Sequence, residues 1–92
     1  MFADFSTPEI SDQLNRLYAL DPSIRCLTAP HHRLAGPICT VKLYPGDNLM
    51  VHKVLDVAQP GDVVLIDASA SPFYAVLGDT ISTKARHRGI AG

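Results

Sequence analysis

The order of three segments constrains this chain more than any other feature. The run Ile38-Cys39-Thr40-Val41-Lys42-Leu43-Tyr44 is β-branched and extended, and it places Cys39, Val41 and Leu43 on one face. Pro45-Gly46 breaks it. Asp47 or Asn48 can then cap a helix whose inner stripe is Val51, Val54, Leu55 and Ala58, with His52, Lys53 and Asp56 on the outside. Gln59-Pro60-Gly61 ends that helix. Val63-Val64-Leu65-Ile66 follows without alternation, between Gly61-Asp62 and Asp67, and reads as a strand buried on both faces. Strand, helix and strand in this succession predict a βαβ unit and an α/β fold.

The flanking segments are less sharply written. Ser6-Thr7-Pro8-Glu9 starts a helix, with Ser6 as cap, Pro8 in the first turn and Glu9 at the capping-box position. Ile10, Leu14, Leu17 and Tyr18 continue it to Asp21-Pro22. Ile24-Arg25-Cys26-Leu27 is a candidate short strand, and Pro30-His31-His32-Arg33 reads as loop. After the small-residue loop Ala68-Ser69-Ala70-Ser71-Pro72, a further helix is expected from about Tyr74 to Arg88. Leu77, Ile81 and Ala85 mark its buried side, and Gly89 is its C′ residue. Gly89-Ile90-Ala91-Gly92 then opens a strand. Chains seldom end there by choice, so a longer protein, truncated here at its C-terminus, is expected.

Ninety-two residues make one domain or part of one, with a thin core. The apolar share of 47% argues against general disorder. A formal charge of -1 speaks against nucleic acid or an anionic membrane as the main partner. Two cysteines, Cys26 and Cys39, make no disulfide scaffold and suit a reducing compartment. The N-terminus has no signal-peptide pattern, and no apolar run approaches the ~18 residues of a membrane span. A soluble, cytoplasmic protein is the expectation.

Several familiar chemistries leave no trace. There is no phosphate-binding loop, no G-x-G-x-x-G after a strand and no G-x-S-x-G elbow. His31, His32, His52 and His87 match no short ligand spacing with the cysteines, and read as surface or loop residues. Lys84, Arg86, His87 and Arg88 suit the negative end of a helix, and are weak evidence for nucleic acid. The informative stretch runs from Asp67 to Gly78-Asp79-Thr80. Ligands of such sheets sit beyond the carboxyl ends of the strands, and free N–H groups at a helix start bind carboxylate or phosphate. Gly78 admits a close approach to backbone, and Asp79 can hold a water. The other reading is a helix that starts early, with Gly78 packed on the sheet and Asp79 solvated.

Ser6-Thr7-Pro8-Glu9-Ile10-Ser11-Asp12, Leu34-Ala35-Gly36-Pro37-Ile38-Cys39-Thr40-Val41, Pro45-Gly46-Asp47-Asn48, Pro60-Gly61-Asp62-Val63-Val64-Leu65-Ile66-Asp67 and Leu77-Gly78-Asp79-Thr80-Ile81, with Ala85 and Arg88-Gly89-Ile90-Ala91-Gly92, resemble the RraA-like family in content and order. The resemblance covers nearly the whole chain as one partial RraA-like domain. It implies a swivelling β/β/α-type fold assembled as a homotrimer or hexamer. It implies either a lyase that uses Mg2+ or Mn2+ to cleave or decarboxylate small 2-oxo acids through a pyruvate enolate, or a non-catalytic protein that inhibits a ribonuclease or other partner enzyme. An older family label, demethylmenaquinone methyltransferase, finds no cofactor loop here. By the resemblance, backbone at Gly78, Thr80 and Ile81 holds the pyruvate carboxylate and Asp79 orders the water that exchanges the enolate proton. The family's substrate-contacting arginine and metal-binding aspartate are expected beyond Gly92, so the segment by itself is expected to be inactive. Where relatives usually carry glycine after the buried strand, this chain has Ala68-Ser69-Ala70-Ser71.

Overall fold

The computed structural model describes residues 2–29 and 32–92. The chain forms two compact units, Met1–Ala35 and Gly36–Gly92.

The first unit has a 3-10 turn at Phe2–Asp4 and one helix, α1, at Thr7–Gln13. Glu9 secures the start of α1: its Oε2 accepts from the Ser6 N–H and from the Ser6 hydroxyl, both at 2.7 Å. The hydroxyl bond, and then the backbone one, hold the Glu9 carboxyl below its ordinary range. The helix expected to reach Asp21 stops at Gln13. Asn15 and Arg16 turn left-handed, with φ of 58° and 61°, and the Arg16 N–H donates back to the Ser11 carbonyl at 2.9 Å. Asn tolerates that conformation, and Arg16 is tied to Asp12 at 2.9 Å. Leu17 and Tyr18 had the right spacing but remain 73% and 75% exposed, so no core rewards the continuation. The candidate strand at Ile24–Leu27 does not form either. Asp21 instead closes a turn, accepting from the Ser23 and Ile24 N–H groups. Of the expected loop 30–33, Pro30 and His31 lie outside the described residues; His32 and Arg33 belong to no helix or strand.

The second unit is the predicted βαβ succession. β1 (Ile38–Lys42) and β2 (Val63–Asp67) pair in parallel, with Ile38 opposite Val63 and Lys42 opposite Asp67. α2 (Leu49–Val57) makes the crossover. A residue larger than glycine at position 36 would not fit where the strands begin, because its Cβ would fall 2.4 Å from the Gly61 carbonyl oxygen. Val41 and Leu43 meet Val51, Val54 and Leu55 in one cluster, which Ile81 completes; Ala58 is buried too. This is the inner stripe expected of α2, and the β1 face expected of Cys39, Val41 and Leu43. β2 is not buried on both faces: Leu65 is 48% exposed, and Ile38 on β1 is 65% exposed. Helices cover one side of this two-stranded sheet, so alternate residues face outward.

The last helix, α3, spans Asp79–His87 and not Tyr74–Arg88. Residues 74–78 have no regular structure, and Leu77 is 56% exposed. Gly78 is the N-cap, with φ -158° and ψ -169°, so its extended backbone ends the loop and helical geometry starts at Asp79. Ile81 and Ala85 face the core as expected. Gly89 ends α3 in the left-handed region at φ 73°, as its C′ position requires. The chain then runs along the free edge of β2. The Ala91 N–H donates to the Asp62 carbonyl and the Val64 N–H to the Gly92 carbonyl, both at 2.8 Å. The strand start read at Ile90 is therefore hydrogen-bonded to the sheet. No helix among the described residues is long and apolar enough to cross a membrane.

Candidate active site at the start of α3

The loop after β2 delivers the chain to α3 through Gly78, and the first turn of α3 presents three N–H groups, those of Asp79, Thr80 and Ile81. None has a backbone partner among the described residues; the first intrahelical bond runs from the Ser82 N–H to the Gly78 carbonyl at 3.0 Å. No side chain caps them. A helix start left open in this way carries partial positive charge and three donors aimed at one place. A Cβ built on Gly78 would meet nothing within 4 Å, so the space beside the N-cap is open.

That space is a hollow of about 400 Å³ lined by Asn48, His52 and residues 75–81. All four residues singled out in the sequence, Gly78, Asp79, Thr80 and Ile81, border it. Their roles are unequal. Ile81 is 6% exposed because its side chain belongs to the core, so only its N–H can serve a ligand. Asp79 and Thr80 are exposed, and Asp79 brings the single carboxylate in the lining. The arrangement suits a small anion held by backbone, with one carboxylate beside it for proton traffic.

Sequence reasoning missed Asn48 and His52. Asn48 reads as a helix cap, but its side chain makes no capping bond; the Asp47 Oδ1 accepts the Leu49 N–H instead, at 2.8 Å. His52 was placed on the outer face of α2, and it is half-buried at the hollow. The available signal was their spacing of four, which puts both on one side of α2, near the strand ends where ligands gather.

The basic cluster of α3 has divided work. Lys84 Nζ ion-pairs with Asp56 Oδ1 at 2.7 Å and donates to the His52 carbonyl at 3.3 Å. Arg88 donates to the Asp56 carbonyl at 3.0 Å and reaches the Ala58 carbonyl at 3.5 Å. These two cations fasten α3 to the carbonyl end of α2. Arg86 and His87 stay exposed beside Thr83. Cys26 is exposed, its thiol drawn below the ordinary range by hydrogen bonding to the Thr28 side chain and then to the Thr28 backbone; Cys39 is half-buried on β1. Among the described residues no three His, Cys, Asp or Glu side chains form a group that could hold a metal ion.

Comparison with known proteins supplies a family for this geometry. The RraA-like family, described as Aldolase/RraA, matches residues 7–92. A protein of Halalkalibacterium halodurans named "Putative 4-hydroxy-4-methyl-2-oxoglutarate aldolase" is 40% identical over 91 residues, which is 99% of this chain and 43% of that protein. A protein of the same name from Laribacter hongkongensis is 33% identical, over 97% of this chain and 55% of its own length. Another from Halorhodospira halophila is 35% identical over 60 residues, covering 65% of this chain and 36% of its own length. The chain thus spans about half, or less, of the curated relatives it matches. No solved structure matches it. The match covers both strands, all three helices and the hollow at Gly78–Ile81: this chain belongs to the RraA-like family.

Proposed function

We propose that the full-length protein is a carbon–carbon lyase acting on small 2-oxo acids through a pyruvate enolate, and that the start of α3 holds the substrate's carboxylate. The observation that carries this reading is the open first turn of α3, three N–H groups without a backbone partner among the described residues beside a hollow, in a chain of the aldolase/RraA family. The N–H groups of Asp79, Thr80 and Ile81 suit the 1-carboxylate of the substrate. When the C3–C4 bond breaks, the distal fragment leaves as CO2 from oxaloacetate, or as a carbonyl compound whose 4-hydroxyl proton passes to water; the electron pair of the bond passes into the 2-oxo group, and the positive end of α3 favours the resulting negative charge. Asp79 orders a water that supplies the proton to C3, giving pyruvate.

The family resemblance adds Mg2+ or Mn2+. Such ions take about six oxygen ligands, and this hollow offers one carboxylate. The described residues therefore do not make a resident metal site by themselves. A homotrimer or hexamer also belongs to this reading. Sedimentation of the full-length protein measures it.

The test is pyruvate release from oxaloacetate by the full-length protein, first with Mg2+ and then with chelator. Chelator-sensitive release above a metal-only blank is expected. No release from folded protein would overturn the lyase reading, in favour of a binding protein that acts on a partner enzyme.

A further inference from the structure

The loop before α3 rests on the turn before α2, and one aromatic ring makes the contact. In that turn the Asp47 N–H donates to the Tyr44 carbonyl at 3.0 Å, with Pro45 and Gly46 between them. Gly46 has φ 78°, the left-handed value that a type II turn requires after its proline. Asp47 Oδ1 accepts the Leu49 N–H at 2.8 Å, so the turn is also tied to the start of α2. Tyr74 lies on this platform. A Cβ built on Gly46 would sit 3.2 Å from Cγ and Cδ1 of Tyr74 and 3.4 Å from Cε1. Three adjacent ring atoms at nearly equal distance mean that the face of the ring, not its edge, covers the glycine.

Tyr74 opens the irregular stretch 74–78, which ends at the N-cap Gly78. Its neighbours Phe73 and Leu77 are 90% and 56% exposed. Val76 leans on the core cluster. That contact alone leaves the stretch a pivot, and the ring on Gly46 gives it a second fixed point. The stretch matters because no side chain caps α3; its first turn is closed by the bond from the Ser82 N–H to the Gly78 carbonyl at 3.0 Å. Whatever holds residues 74–78 therefore holds that carbonyl, and with it the direction of the N–H groups of Asp79, Thr80 and Ile81.

We propose that Tyr74, seated on Gly46, is a positioning residue that keeps the first turn of α3 wound and its donors aimed into the hollow. This rests on the reading that α3 holds the substrate's 1-carboxylate. Tyr74 lies outside the lining of the hollow, so it acts through the backbone that follows it.

Steady-state pyruvate release from oxaloacetate by the full-length protein in Mg2+ tests this, with urea denaturation alongside. Tyr74→Ala should raise KM about tenfold, as expected when charge-assisted bonds to a carboxylate weaken. Its kcat should stay within about threefold, because the 1-carboxylate is charged before and after the bond breaks. Tyr74→Phe keeps the ring and should keep the wild-type KM. Gly46→Ala drives a Cβ into the ring, so it should raise KM in the wild-type background and leave it unchanged in the Tyr74→Ala background. Strain in the turn itself should lower the urea midpoint alike in both backgrounds. A purely structural Tyr74 would shift the midpoint and not KM. A wild-type KM in Tyr74→Ala would overturn the positioning role, as would a KM effect of Gly46→Ala that persists without the ring. Wild type that releases no pyruvate would overturn the lyase reading itself, and the role of Tyr74 with it.

Discussion

At the scale of single residues, the proposed reaction asks most of Asp79, which contributes little to the structure. It is exposed at the first position of α3 and makes no hydrogen bond that the fold requires, so a neutral amide there leaves the helix intact. Asp79→Asn is expected to lower pyruvate release from oxaloacetate by about a hundredfold, in the range typical of losing a proton-transfer group. Pyruvate affinity should be unchanged or tighter, because a negative charge beside the bound carboxylate is gone. Unchanged turnover in a steady-state assay would remove Asp79 from the mechanism. A second residue-scale effect lies just after β2, where Ser69 and Ala70 adopt φ of 57° and 51°. Here two side chains occupy left-handed backbone that glycine adopts more readily. Ser69 is held by its own bonds, its N–H to Asp67 Oδ1 at 2.9 Å and its hydroxyl to the Leu43 carbonyl at 2.5 Å. Ala70 has no such support. Ala70→Gly should therefore stabilise the fold by about 1 kcal/mol, read as a raised midpoint in urea denaturation. The candidate site was legible where backbone chemistry is written in residue type, as at Gly78-Asp79. It was illegible at His52, because periodicity on α2 separates core from surface and does not say which surface faces a hollow.

At the scale of elements, the join between α2 and α3 is ionic on its exposed side and apolar beneath. The hydrogen bond from Lys84 is the main cause that holds the Asp56 carboxyl below its ordinary range, opposed by some desolvation and helped by the charges of Lys84, Arg88 and Lys53. A carboxyl with a depressed folded-state pKa stabilises the fold above its unfolded value, about 3.9, and loses that contribution as pH falls through the folded value. Lys84→Met removes the partner. The variant should melt below wild type at neutral pH, and the gap between the two melting temperatures should close as pH is lowered past about 4. A gap that holds constant through the acid limb would show that Lys84 acts through its bond to the His52 carbonyl and its packing. Elements themselves were readable from sequence to unequal degrees. The βαβ core was plain, because Val51, Val54, Leu55 and Ala58 keep helical spacing and β1 alternates, and both patterns are imposed by burial. Leu17 and Tyr18 supply the same spacing beyond α1 without a core to bury it, and the helix stops at Gln13. Leu77 continues the stripe of Ile81 and Ala85, yet the extended Gly78 ends the loop between them and α3 starts at Asp79. Periodicity predicts an element only as far as a partner surface exists.

At the scale of the whole molecule, burial is distributed very unevenly. Every buried apolar side chain of the described residues, from Val41 to Ile81, lies in the unit Gly36–Gly92. α1 has none. Cooperative stability should therefore reside in the second unit, with the first opening at much lower cost. Hydrogen exchange followed by NMR or mass spectrometry gives the test. Amides of β1, β2 and α2 should be the last to exchange, and those of residues 7–29 should exchange orders of magnitude sooner. Leu55→Ala extends the test, since Leu55 is 2% exposed in the centre of the cluster. It should cost about 3 kcal/mol, because the removed atoms leave a cavity between α2 and the sheet. That loss should shorten protection throughout 36–92 by about a hundredfold and leave exchange in 7–29 where it was. Equal loss of protection in both units would show that they unfold as one.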